Sequence, residues 1–570
     1  MHKMIQNRKN ILAFILLGSF TAFGQNNNLN QEVKVVKPYE PVINDAYKIS
    51  SLPKIVDTIK ITPTFEYDDD ALEIYKTKYQ PKQIKPAKLV AEPLPKLYYG
   101  YLKTGFGSYA SPLLNLYTGS QRSENWNWNA NINYNSSNGK VKNEDDKRVY
   151  AGLSNFDANG QVRRFFKNDI VATIGADYGY RSNYYYGYQT ELNLPDSLIP
   201  LKKNDIEKQS LNYYSFEASL ASNNLDSSSL DYSITLGYKS INTKDDKGDK
   251  IIHFNGYLSY LLDKEFLGLK CTIDNYNTNG LNIAGKGDIN SAVINFNPWV
   301  GAYGRKWRVK IGVSTFYDQR DQKYSFFPDI SMQYNIIDYF LLPYIEVNGN
   351  YQVNTYKDVY SENPFVLSGI NILPTKTRLN LTAGFRGNIS SKVAFNVKVD
   401  YSKIDNQYFY VNDTTTELRN KFMVVYDDIM QTHFLGEISY KTSDKFKIGL
   451  KGNFFVYDMS KEIEAWHLPT YTISLDARYS LDNKIIATAN IYAMSKRKAC
   501  LYEIGDDGQT MPIAKDLDGA IDVNLGLEYR FTKRFSTFLD LNNITGARYY
   551  QWNQYANQRF NFMLGLTYAF

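Results

Sequence analysis

The chain has 570 residues, 65 Lys and Arg against 59 Asp and Glu, a formal charge of +6 and a mean hydropathy of −0.44. A balance this even gives no electrostatic footprint for nucleic acid, and no apolar run approaches the roughly 20 residues a membrane helix needs. With 49 Tyr and 31 Phe beside 2 Cys and 4 His, the composition is aromatic-rich and poor in metal ligands and disulfides, so a chain this polar enters lipid only as a closed sheet.

Residues 1–24 read as a secretory signal peptide. Lys3, Arg8 and Lys9 form a positive n-region, Ile11 to Phe20 an apolar core, and Ala22-Phe23-Gly24 a small-residue site before Gln25. No cysteine lies near that site, so no lipoprotein anchor is expected. Residues 25–96 hold eight of the 18 prolines: Pro38, Pro41, Pro53, Pro63, Pro81, Pro86, Pro93 and Pro95. Proline removes backbone donors and biases its neighbours toward extended conformations, so this stretch reads as an extended periplasmic or lumenal arm. Asp68-Asp69-Asp70 reads as a solvated turn rather than a calcium loop.

From Leu97 to Phe570 the pattern is all-β. Alternating runs are joined in pairs by short turns such as Asp263-Lys264-Glu265, Ser390-Ser391-Lys392, Asp482-Asn483-Lys484 and Thr532-Lys533-Arg534. Longer polar segments, such as 187 to 208 and 498 to 516, separate the pairs. Short turns on one side and long loops on the other are the asymmetry of a transmembrane antiparallel β-barrel, with the turns in the periplasm. Runs begin near residues 97, 112, 125, 148, 169, 209, 228, 250, 266, 290, 306, 323, 339, 376, 392, 423, 444, 468, 484, 518, 534 and 557. The count is therefore about 22 strands, with 20 or 24 as alternatives, and a barrel that wide encloses a lumen that leaks unless filled.

Charges keep to one parity. Ile521, Val523, Leu525, Leu527, Tyr529 and Phe531 alternate with Asp522, Asn524, Gly526, Glu528 and Arg530, which places the charges in a wet interior. The last run is the sharpest. Phe560, Phe562, Leu564, Leu566, Tyr568 and Phe570 share one parity and form a lipid-facing closing strand; Arg559, Asn561, Met563, Gly565, Thr567 and Ala569 share the other. A soluble β-sandwich array also alternates, but it leaves the signal peptide and the turn-loop asymmetry unrelated to each other.

No catalytic or cofactor-binding motif occurs. His253, His433 and His467 fall in unrelated runs or loops, and no G-x-S-x-G elbow, H-E-x-x-H or paired-Cys motif is present. Gly285-Lys286-Gly287-Asp288 reads as a loop turn. The aromatic groups Tyr184-Tyr185-Tyr186 with Tyr188, Trp126 with Trp128, and Tyr549, Tyr550 and Trp552 suit an interfacial girdle better than stacking on an outer-face ligand.

Tyr101 to Ser120 (YLKTGFGSYASPLLNLYTGS), Leu541 to Tyr550 (LNNITGARYY) and Phe570 resemble the barrel domain of TonB-dependent receptors, particularly divergent ones of the Bacteroidota. The resemblance implies uptake of a solute across the outer membrane, insertion by an assembly machinery that reads the terminal Phe, and coupling to TonB. Glu32, Val33, Val35 and Val36 resemble the energy-coupling box that pairs with TonB as an added strand. Family members carry a folded plug before the barrel, whereas this chain has the arm 25–96, and Ile84 to Tyr98 is similar to the linker of plugless barrels. That departure keeps a second expectation open: a non-transporting structural or assembly subunit whose arm binds a periplasmic or lipoprotein partner.

Overall fold

The computed structural model describes residues 97–167, 169–188, 201–223, 230–279, 289–504 and 510–570. The signal peptide, the arm 25–96, the segment Glu32 to Val36 and the turn Gly285 to Asp288 lie outside the described residues.

Twenty-two antiparallel strands form one closed sheet, each paired with its neighbours in chain order. The ring closes where the first strand, Gly100–Gly107, pairs with the last, Asn561–Ala569, in the register Tyr101↔Ala569 to Gly107↔Met563. Closure satisfies every strand edge, which is what a sheet in lipid requires. Two glycines make the seam possible. A Cβ on Gly565 would meet the Thr104 carbonyl oxygen at 2.2 Å, and one on Gly100 would sit inside the Phe570 ring.

One end of the barrel carries short turns. Leu262 and Glu265 are bridged by two residues, and Asp482 and Asn483 both take positive φ, 48° and 54°, the pair of left-handed residues that a type I′ turn demands. The other end carries the long connections. Among the described residues three small hairpins stand there outside the barrel sheet: Lys140–Lys142 with Arg148–Tyr150, Arg497–Ile504 with Thr510–Leu517, and Tyr550–Trp552 with Tyr555–Ala556. The described residues also hold one short helix, Tyr356–Glu362.

The run expected to begin near 148 is corrected by the first of these hairpins. Arg148–Tyr150 turns back onto Lys140–Lys142, and the barrel strand starts at Leu153.

The two parities separate as their chemistry dictates. Outward side chains are apolar and bare, as in Phe562, Leu564, Leu566 and Tyr568 of the closing strand, each more than two-fifths exposed, with Phe560 and Phe570 alike. Inward side chains are polar and paired: Lys310 with Asp329 at 2.7 Å, Arg181 with Asp157 at 2.8 Å, Lys398 with Asp400 at 2.7 Å. Aromatic rings gather at the turn end, where Tyr440–Phe446, Phe446–Tyr479, Tyr529–Phe531 and Tyr568–Phe570 pack within 6.4 Å. Trp126 stands bare and outward at that end also.

Candidate functional site

The loop end is roofed by its own connections. The segment from Val353 to Pro374 leaves the wall, forms the helix and returns. Its entry is set locally: Thr355 caps the helix, accepting from Asp358 N while Asp358 Oδ2 accepts from Thr355 N at 2.9 Å. The helix then reaches both sides of the lumen. Tyr356 N donates to Asp249 Oδ2 at 2.8 Å and the Tyr360 hydroxyl accepts from Asn183 Nδ2 at 3.0 Å on one wall. On the other, Tyr410 donates to the Val359 carbonyl at 2.9 Å and Tyr408 to Glu362 at 2.8 Å.

Below and beside the helix lies one buried apolar core. Leu211, Ile241 and Ile251 enter it from the sixth to eighth strands and Tyr185 from the loop before them; Tyr410 and Phe422 come from the fifteenth and sixteenth, and Trp552 and Tyr555 from the last loop. In a ring of 22 these walls are nearly opposite. Phe365 stacks on Tyr555 at 3.6 Å between centroids, Tyr186 meets Tyr555 edge-on at 4.9 Å, and Trp552 touches Tyr410 at 4.8 Å and His467 at 5.1 Å. Offset and edge-on ring pairs of this kind add to the stabilisation from area burial alone.

Backbone groups close the remaining gaps. Asn420 Nδ2 donates to the Tyr185 carbonyl at 2.6 Å, Tyr185 donates to Val366 O at 2.7 Å, Tyr186 to Ala556 O at 3.0 Å, and Tyr555 to Asn420 O. Four loops thus hold one another.

His467 lies inside this roof as a neutral ring. Its Nδ1 donates to the Tyr410 carbonyl at 3.1 Å and its Nε2 accepts from Asn553 N at 3.3 Å. Burial, with the Arg497 guanidinium nearby, lowers its pKa from 6.5 to about 3. Arg497 is itself buried, its Nη1 donating to Gln551 O at 2.7 Å and its Nη2 to Tyr550 O, which ties the hairpin Arg497–Leu517 to the last loop.

His253 and His433 occupy the lumen wall. His253 pairs with Asp274, and His433 sits 3.0 Å from Asp400 and 3.1 Å from Asn453. Around His433 a polar ladder crosses five strands, from Thr382 through Asp400 and Asn453 to Thr472. These His–Asp pairs look like parts of a hydrolase. However, His433 spends its second nitrogen on the Asn453 amide, and Asp274 is the one hydrogen-bond partner of His253 among the described residues, so neither contact set includes a nucleophile. Among the described residues no three His, Cys, Asp or Glu side chains converge as metal ligands. Cys271 and Cys500 are both free.

The expected girdle role fails for part of the aromatic set. Tyr185 and Tyr188 are almost fully buried and Trp552 is 7 % exposed, all within roof cores; only Trp126 and Trp128 stand bare on the outside. The roof segment itself, with Val359, Phe365, Val366, Ile370 and Ile372, went unread as a loop. Its apolar density and the Thr355–Asp358 capping box were the available signals.

No protein-family model matches the sequence, and no curated protein matches it. Solved structures do. The siderophore receptor PirA from Acinetobacter baumannii superposes with a TM-score of 0.64 at 11% identity, covering 84% of this chain and 81% of that one. The FrpB iron transporter from Neisseria meningitidis gives 0.63 at 11%, covering 84% and 82%. The pyoverdine outer membrane receptor FpvA from Pseudomonas aeruginosa gives 0.61 at 13%, covering 84% and 79%. At these identities the likeness concerns the backbone, and the chain accordingly has the 22-stranded barrel fold of TonB-dependent outer-membrane receptors.

Proposed function

We propose that this chain is an integral outer-membrane barrel for the uptake of a solute, its turn end in the periplasm and its roof acting as the outer gate. The observation that carries the reading is the roof: a ring of 22 strands is wide enough to leak, and its own loops close one mouth. The bare apolar parity, the paired charges facing inward and the receptor-like fold support placement in the membrane. Phe560 to Phe570 would then face lipid and present the terminal aromatic to the assembly machinery. Glu32, Val33, Val35 and Val36 would meet TonB.

A second reading is favoured by the chemistry of the roof. Its centre is a dry aromatic core with the character of a protein interior, not a set of donors aimed at a ligand, which suits a mouth kept permanently shut in a structural or assembly subunit. The two readings separate in one pair of experiments. Phe365→Arg drives a charge into the ring stack, so a transporter gated at the roof should show a large rise in single-channel conductance and in entry of a bulky antibiotic such as vancomycin. Deleting residues 26–90 behind an intact signal peptide should raise conductance if the arm fills the lumen. Loss of a co-purifying periplasmic protein on deleting the arm, with conductance unchanged by that deletion, would instead support the assembly subunit.

A further inference from the structure

A second feature of the loop end lies apart from the aromatic core. Between the first hairpin and the last loop is a recess of about 310 Å³ lined by Tyr109, Lys140, Val141, Lys142, Arg148, Arg548, Asn557 and Arg559. Five of these side chains are cationic. The hairpin that carries three of them is held firmly from behind, because Val141 and Val149 are buried against Tyr188 and Ile206. Lys140, Lys142 and Arg148 remain exposed.

The register makes this costly. Lys142 and Arg148 are direct cross-strand partners, and like charges directly opposite destabilise a hairpin. The turn between the two strands, with Glu144, Asp145 and Asp146, compensates this in part. Asp146 is shared between Arg548 at 2.7 Å and Lys142 at 3.8 Å. Glu144 of the same turn is drawn to Lys515 at 2.7 Å, and Asp145 accepts from Asn143 at 3.4 Å. Arg559 donates to the Gly546 carbonyl at 2.7 Å, while the side chains of Lys140 and Arg148 have no hydrogen-bond or ion-pair partner among the described residues. A concave site lined by guanidinium and ammonium groups is matched by a multivalent oxyanion that accepts forked hydrogen bonds.

We infer that this recess binds a phosphate-class oxyanion, clamped between the first hairpin and the last loop, and that the bound anion relieves the Lys142–Arg148 repulsion. The group can come from a lipid headgroup or from a free phosphate compound. The hairpin belongs to the connection between the third and fourth barrel strands, so the bound anion also bridges that connection to the last loop.

The test uses the full chain in nanodiscs of phosphatidylcholine, with or without phosphatidic acid. In the first arm, pyrophosphate is titrated calorimetrically; in the second, Lys140 acetylation is followed by mass spectrometry as phosphatidic acid is added. The Lys140→Gln/Arg148→Gln double variant removes charges without known partners, and Lys441→Gln/Lys445→Gln at the turn end is the control. Saturable pyrophosphate binding weakened at least tenfold in the double variant, but unchanged in the control, supports a free oxyanion. Protection of Lys140 by phosphatidic acid alone, with control unchanged, supports a headgroup. Absence of both effects, or equal weakening in the two variants, overturns the site.

Discussion

Lys421 Nζ and Glu207 Oε2 lie 2.6 Å apart although they precede the sixteenth and sixth strands, ten positions away around a ring of 22. The contact therefore spans the lumen. It is one visible stitch of the roof, and the physical question is whether the stitch or the core beneath it holds the mouth closed.

Magnitudes favour the core. Lys421 is 14 % exposed but Glu207 is half exposed, and an ion pair open to water at one end contributes on the order of 1 kcal/mol, whereas truncating a buried Phe costs about 3–5 kcal/mol. Lys421→Ala should leave protection of the roof loops against limited proteolysis nearly unchanged, while Phe365→Ala should expose them to rapid cleavage. Equal sensitivity in the two variants would show that the core does not carry the closure.

Acid should loosen the roof through His467. Its closed-state pKa is depressed from 6.5 to about 3, so the contribution is fully present above 6.5 and is lost as pH falls from there toward 3. Once the loop opens, the imidazole takes a proton that the closed form refuses: Nε2 faces the Asn553 amide, and a second N–H there would meet another donor. At pH 5 the difference is about 2 kcal/mol. Protection factors of the loop 460–470, corrected for the intrinsic slowing of amide exchange in acid, should fall between pH 7.5 and 5 in the native chain, and that fall should flatten in His467→Asn.

Parity can be tested within one strand. Ile473 stands bare and outward, and Ser474 points to the other face. Ile473→Arg should impair insertion, because an arginine at mid-depth on the lipid face costs about 2–4 kcal/mol, and Ser474→Arg should be mild. Heat-modifiable gel mobility of the two variants is the measurement, and matching defects would refute the assignment of the two faces.

At the seam, Gly565→Val should block closure more severely than loss of Phe570. The valine Cβ meets a backbone carbonyl that cannot step aside, whereas deletion of Phe570 frees the space over Gly100 and removes its backbone pairing, Tyr99 N donating to Phe570 O at 2.7 Å. Gly565→Val should fail to produce the compact band at all, and the deletion should lower its amount in membrane fractions. The reverse order would mean that the terminal contact dominates closure.

The barrel was legible because alternation is local. Runs expected near 209, 323, 423 and 534 begin at Lys208, Lys323, Phe422 and Phe535, since in each the change of face is enforced by neighbours two residues apart. The roof was not legible for the opposite reason. Tyr185 and Phe365 are ordinary loop aromatics until the ring brings their loops together, and no period in the chain announces a contact between residues 181 apart such as Tyr185 and Val366. Arg148–Tyr150 shows the limit from the other side: it alternates like a barrel strand, and only pairing with Lys140–Lys142 decides otherwise.

The last hairpin carries two duties that the chain delivers together. Its second strand supplies the seam, and the loop just before that strand supplies Trp552 and Tyr555 to the aromatic core. Until the final strand docks, Phe365, Tyr410 and Phe422 lack two of their ring partners and present bare aromatic faces to water. Completion of the wall and concealment of that sticky surface are therefore a single step. An unfinished barrel advertises its state to any chaperone or protease that reads exposed rings, and a finished one falls silent.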